Sequence, residues 1–195
     1  MNPPPSPEKT TSSSRVAPFW LVFALVPLAL IVALILLELT GAQSADDDLF
    51  HDAPREVTYP APDFAVVTEE GDTLTLADFE GQVLFLNFWQ TWCTPCLIEM
   101  PHFREFLDQH PDDPISVLAV NIAETPGAVA DFFERNGIAR IPVAYDRDSS
   151  VQRRYAVYNL PTTFVIDQQG NVRYWKMGGM NIQEMEDIAE RLLQP

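Results

Sequence analysis

The chain has 195 residues, 47% of them hydrophobic and 21% charged, a composition that folds and excludes a wholly disordered protein. Twelve Lys and Arg stand against 28 Asp and Glu, a formal net charge of −16, which argues against a surface built to neutralise phosphates and sets nucleic-acid binding aside. Two cysteines and three histidines rule out a disulfide scaffold and leave a structural metal site almost no ligands, so no metal is expected.

Residues 1–15, rich in Pro, Ser and Thr with no large apolar residue after Met1, cannot bury enough surface to offset ordering entropy and read as a disordered tail. Residues 16–37 carry no charge and are mostly Leu, Val, Ala and Ile. As a helix they would cover about 33 Å, enough to cross a bilayer core. Phe19 and Trp20 stand where an interfacial aromatic belongs, and Pro18 and Pro27 are tolerable in a membrane helix. A cleaved signal peptide is the competing reading, favoured by the small residues between Thr40 and Ala45 but disfavoured by a run longer than the usual ~7–15 residues. The run is therefore taken as an anchor or uncleaved signal. Lys9 and Arg15 precede it and Asp46-Asp47-Asp48 follows, which places the tail in the cytoplasm and the rest outside. Residues 1–45 balance to zero charge, so the whole −16 belongs to residues 46–195. The acidic, Pro-containing stretch from Asp46 to Pro62 reads as a spacer holding that part off the membrane. The resulting division is a tail 1–15, an anchor 16–37, a linker 38–56 and a folded domain 57–195.

Within the domain, Phe64–Val67 and Thr73–Leu76 flank Glu70-Gly71-Asp72 as a hairpin. Val83–Trp89 is a continuous apolar run, the pattern of a central strand covered on both faces. Then follow a helix from about Pro95 to Gln109, a strand Ile115–Asn121, a helix near Gly127–Asn136 ended by Gly137, and a short strand Pro142–Tyr145. A helical turn near Ser149–Tyr155 leads to a strand Thr162–Asp167, a turn, a strand Val172–Lys176 and a last helix Asn181–Leu193. This alternation implies an α/β fold with a mixed central sheet and helices on both faces.

Trp92-Cys93-Thr94-Pro95-Cys96 lies between the most apolar strand and the first long helix. Cysteines three apart in a first helical turn have Cα atoms on the order of 5.5 Å apart, which suits a disulfide that opens and closes with little backbone motion. Cys93 sits where free amides and the helix dipole favour a thiolate and is the expected nucleophile. Cys96, shielded one turn in, is the expected resolving thiol. Pro95 suits a first-turn position. Half of a zinc site would need ligands that His51, His102 and His110 are not spaced to supply, and covalent haem would need a His where Leu97 stands. No cofactor beyond the cysteine pair is expected, and His102 and His110 read as surface residues.

The segment Leu86–Pro101, with Leu118-Ala119-Val120-Asn121 and Leu160-Pro161-Thr162-Thr163-Phe164-Val165-Ile166-Asp167, resembles the membrane-anchored TlpA/ResA-like thiol-disulfide oxidoreductases of the thioredoxin-like superfamily. The resemblance implies a thioredoxin-like fold with an N-terminal hairpin extension, and reduction of disulfides in proteins outside the cytoplasmic membrane, often serving cytochrome c maturation. It also implies a membrane thiol protein as electron donor. Pro161 matches the cis-proline that faces the cysteine pair, which would leave the Leu160 backbone to pair with an extended substrate. Trp92, Thr94 and Pro95 complete the expected substrate-facing set. Glu99 matches an acidic cavity residue that would raise the thiol pKa values and carry protons, the alternative being a solvated helix glutamate. Glu124 matches a second acidic position of that cavity. Thioredoxin itself keeps a buried Asp where this chain has Asn87, which takes up no proton, so acid-base work passes to Glu99 or water. Trp92 is expected to shield the disulfide and Trp89 to be core. A thiol-dependent peroxidase and a non-catalytic partner-binding module are the rival functions.

Overall fold

The computed structural model describes residues 53–194 together with Ile31. The proposed tail and nearly all of the proposed anchor lie outside the described residues. Among the described residues no helix is long and apolar enough to cross a membrane.

Eight strands form one sheet: β1 (Arg55–Pro60), β2 (Ala65–Val67), β3 (Thr73–Thr75), β4 (Val83–Trp89), β5 (Ile115–Ile122), β6 (Val143–Asp146), β7 (Thr162–Ile166) and β8 (Asn171–Met177). Their spatial order is β1-β8-β7-β4-β5-β6-β2-β3. β4 runs parallel to β5 and antiparallel to β7, so the sheet is mixed. Among the described residues from 53 onward, four helices accompany it: α1 (Thr94–Gln109), α2 (Pro126–Asn136), α3 (Ser150–Arg154) and α4 (Ile182–Leu193).

β4 is buried along its whole length, and its side chains divide by the period of two that a strand imposes. Val83, Phe85 and Trp89 face a core built with α1, α2 and α4. Leu84, Leu86 and Phe88 face the opposite core, closed by Phe64, Val151 and Tyr155. Helical elements on both faces are what an apolar run without alternation requires. Trp89 is core as expected, its ring against Phe132 and Phe133 at centroid distances of 5.2 and 5.8 Å.

One expectation fails. The stretch read as a spacer to Pro62 contains β1, which pairs antiparallel with β8 at Arg55↔Trp175, Glu56↔Tyr174, Tyr59↔Val172 and Pro60↔Asn171. Five of its six side chains are exposed, so no apolar pattern announced it. It is held by backbone hydrogen bonds, with the Arg55 guanidinium 5.5 Å from the Trp175 ring centroid. Its terminal Pro60 suits an edge strand. The 3₁₀ turn Leu76–Phe79 was likewise unforeseen. It starts from a capping box in which the Thr75 amide and hydroxyl both donate to Asp78 at 2.7 Å.

Candidate active site

The cysteine pair lies past the C-terminal end of β4, where the chain turns into α1. Cys93 is the N-cap of α1, and its sulfur accepts a hydrogen bond from the Cys96 amide at 3.2 Å. The first-turn amide of Cys96 thus points at the Cys93 sulfur, which together with the helix dipole favours a thiolate there. The two cysteines form a disulfide with Cα atoms 5.2 Å apart. Cys93 is 5% exposed and Cys96 0%, so Cys93 is the more accessible sulfur of a pair that is otherwise enclosed.

Trp92, immediately before the pair, is 70% exposed; Thr94 and Pro95 open α1, with Thr94 exposed and Pro95 half-buried. On the other side, Thr162 pairs with Phe88, which brings Pro161 level with the end of β4. The Leu160–Pro161 bond is cis. Leu160 packs against the core that includes both cysteines. The structure thus brings together Trp92, Cys93, Thr94, Pro95, Cys96, Leu160 and Pro161. It adds Tyr158, 89% exposed in the loop ahead of Pro161, which no motif had marked.

Glu99 is not a solvated helix residue. It is completely buried, one turn along α1 from Cys96. Its Oε1 accepts from Asn87 Nδ2 at 2.9 Å and its Oε2 from the Met180 amide at 3.1 Å. Burial disfavours the charged form and pushes Glu99 up to about 8. Asn87, the Met180 amide and, at longer range, Lys176 pull it back, while Glu184 pushes it further up. Asn87 donates also to Thr163 Oγ1 at 3.0 Å, so the residue that replaces a titratable acid serves to hold one.

Glu124 does different work. Its carboxylate accepts from the Thr91 amide at 2.8 Å, the Thr91 hydroxyl at 2.6 Å and Asn121 Nδ2 at 2.8 Å. It reaches across from the end of β5 because Ala123 takes a left-handed conformation with φ 57°, a strained geometry for a residue with a Cβ. The loop that carries Trp92 and Cys93 is thereby tied to β5. Of the two histidines among the described residues, His102 is half-buried, with Nδ1 3.4 Å from the Met180 carbonyl. His110 stands between Asp113 and Glu186 at 2.7 and 2.9 Å.

Sequence reasoning missed the surroundings of the buried acid: the Met180 amide, Lys176 and Glu184, and Thr163, which holds Asn87 in place. A signal existed for one of them. In β8 every second residue is buried, and Lys176 stands two residues after the buried Tyr174, so alternation sets a lysine on the face that Tyr174 takes.

The AhpC/TSA family profile matches residues 57–175. Thiol-disulfide oxidoreductase ResA of Geobacillus kaustophilus (strain HTA426) is 39% identical over 132 residues, which is 68% of this chain and 75% of that protein. ResA of Geobacillus thermodenitrificans (strain NG80-2) is 41% identical over 132 residues, 68% of this chain and 74% of that protein. Among solved structures, StoA from Bacillus subtilis superposes with a TM-score of 0.56 at 30% identity, covering 66% of this chain and 96% of its own. A thioredoxin-family thiol:disulfide interchange protein from Chlorobium tepidum TLS gives 0.60 at 26% identity, with 73% and 99% covered. With a redox-active cysteine pair at a helix N-terminus and relatives of this kind, the chain belongs to the AhpC/TSA family and, as an oxidoreductase of thioredoxin-like fold, to the ResA-like thiol-disulfide oxidoreductases.

Proposed function

We propose that this oxidoreductase works in the reducing direction outside the cytoplasm, held at the membrane by residues 16–37 with residues 1–15 inside. Its substrates in this reading are disulfide-bearing proteins, apocytochrome c in cytochrome c maturation among them. The observation that carries the reading is the accessible Cys93 at a helix N-terminus with a buried acid one turn beyond the enclosed Cys96.

The Cys93 thiolate attacks one substrate sulfur. A Cys93–substrate bond forms, the substrate disulfide breaks, and the departing sulfur takes a proton from solvent. Cys96 passes its proton to Glu99 in its ionised form, the minor form below pH about 8, and attacks Cys93. The Cys93–Cys96 bond closes, and the second substrate sulfur leaves and collects that proton. The substrate gains two electrons and two protons; a membrane thiol donor restores the pair. Trp92, Thr94, Pro95, Leu160 and Pro161 are the surface that receives the substrate, with the Leu160 backbone open to an extended chain. Glu124 acts as a positioning residue by fixing Thr91, two residues ahead of Cys93.

Replacement of Cys93 by Ser is expected to abolish reduction of a disulfide-bearing protein, and Cys96→Ser to accumulate a mixed disulfide through Cys93. Preferential alkylation of Cys96 in the reduced protein would reverse these roles. Cys93-dependent consumption of hydrogen peroxide without protein disulfide reduction would replace the reductase with a peroxidase. A reporter fused after Pro195 that behaves as cytoplasmic would refute the topology.

A further inference from the structure

Asn87, Thr163 and Lys176 stand directly opposite one another across three adjacent strands, in the pairs Asn87↔Thr163 and Thr163↔Lys176. Directly opposed residues share a face, so these three form a polar row on the face that α1 and α4 cover. All three are buried. The Lys176 side chain is 0% exposed, and its Nζ donates to both carboxylate oxygens of Glu184 at 2.5 Å. The short turn from β8 to α4 then joins two carboxylates. The Met180 amide donates to Glu99 at 3.1 Å, and the next amide, Asn181, donates to Glu184 at 3.0 Å.

Two carboxylates on consecutive amides, with one buried ammonium held against the second of them, make a unit that balances when a single carboxylate is ionised. Ionising the second leaves an uncompensated charge in a low-dielectric site, which is costly. We propose that Lys176 is a positioning residue for the buried acid: its ammonium, shared between Glu184 and the field at Glu99, sets how readily Glu99 accepts the proton of Cys96. Without it, a carboxylate at Glu99 would face Glu184 alone. The direction of each influence agrees, Lys176 favouring the ionised form of Glu99 and Glu184 opposing it. The other groups around Glu99 do not supply this charge. Asn87 and Thr163 on the sheet side do not titrate, Cys93 and Cys96 are joined in the oxidised protein, and His102 approaches the far side of Met180 through its carbonyl. On α4, Glu186 is engaged with His110.

The coupling to catalysis rests on the reductase reading, but the coupling between Lys176 and Glu99 can be read without turnover. The measurement is the titration of Glu99 in the full-length, oxidised protein, followed by the infrared absorption of its protonated carboxyl and identified by its loss in Glu99→Gln. Lys176→Met is expected to move the midpoint up by about one pH unit, a tenfold weaker acid. Glu184→Gln, which keeps the capping amide's acceptor, is expected to move it down. The double variant, with both charges gone, is expected near the wild type. A purely structural role predicts no such opposition of sign. Shifts in the same direction, or no shift in either variant, would overturn the proposal. If Lys176→Met does not fold, the uncharged polar Lys176→Gln takes its place: an upward shift of the Glu99 midpoint supports the proposal and an unmoved midpoint defeats it. In the reduced protein, the pH at which the reduction potential changes slope should follow the same order. A wild-type chain that reduces no protein disulfide would sink the reductase reading, whereas the oxidised-state titrations would still decide the role of Lys176.

Discussion

Glu99 shows how burial changes the acidity of an ordinary residue. An exposed glutamate at this helical position would be ionised at neutral pH; desolvation raises it to about 8 even against two hydrogen bonds that favour the anion. Its raised pKa has a definite sign for stability. Between the ordinary value of 4.5 and about 8, the folded chain holds a proton that the unfolded chain has released. Stability from this group is therefore present at and below pH ~4.5 and is lost as pH rises towards 8. Each pKa unit is worth ~1.4 kcal/mol, so the loss is bounded at several kcal/mol. Denaturant titrations of wild type and Glu99→Gln across that range should show the difference between them changing in favour of the variant as pH rises; parallel curves would rule out a buried proton on Glu99. Glu124 makes a second, independent case. Glu124→Ala leaves the Thr91 amide, the Thr91 hydroxyl and Asn121 without their acceptor. The expected cost is about 1–3 kcal/mol, read as faster hydrogen exchange at Thr91 and lower thiol-disulfide exchange activity. Unchanged exchange there would detach Glu124 from the active-site loop.

At the level of elements, ends and edges are decided by local chemistry. α2 begins with Thr125 accepting from the Ala128 amide, and it stops at Gly137, whose φ of 63° places it in the left-handed region. Nothing lies within 4 Å of where a Cβ would be built there, so the demand for glycine is one of backbone conformation alone. Gly137→Ala should therefore cost about 1 kcal/mol, and Gly137→Asn less, measured as a shift of the denaturation midpoint. A cost of several kcal/mol for alanine would point to a contact that the open surroundings exclude. β1 illustrates the opposite situation, an element with no signature of its own. All but one of its side chains are exposed, and its existence depends on the edge that β8 offers. β4, with seven apolar or buried residues in succession, could be placed to the residue, because a strand sandwiched between two helical layers has no exposed face to encode.

Over the whole molecule the dominant feature is charge. The excess of −16 resides in residues 46–195, and like charges on one small domain repel across distances comparable to the screening length in dilute buffer. Raising the salt concentration from about 10 to 150 mM, which shortens that length from ~30 to ~8 Å, should raise the melting temperature of the 46–195 fragment. Surface pairs of unlike charge, such as Arg140–Glu69, are worth little and will not reverse the sign. A falling melting temperature would show that specific ion pairs, not net charge, control the fold. Strong self-association of the fragment would imply that the apolar run 16–37 belongs to the folded body.

The chemistry of this protein was legible in its primary structure because it is local. Cysteines three apart at a strand-to-helix junction fix their own separation through helical geometry, and the apolar run of β4 announces its burial through composition. Pro161 was likewise marked by its place at the head of an apolar strand. What depended on the tertiary structure was every property that arises from residues distant in the chain. Whether Glu99 is a solvated or a buried acid turns on Asn87, twelve residues earlier, and on the Met180 amide, eighty-one residues later. Whether Glu124 lines a cavity or ties a loop turns on Thr91, thirty-three residues earlier. Lys176 meets Thr163 only through strand pairing. Desolvation and charge–charge interaction depend on separation in space, and periodicity along the chain says which face a residue takes but not what waits for it there.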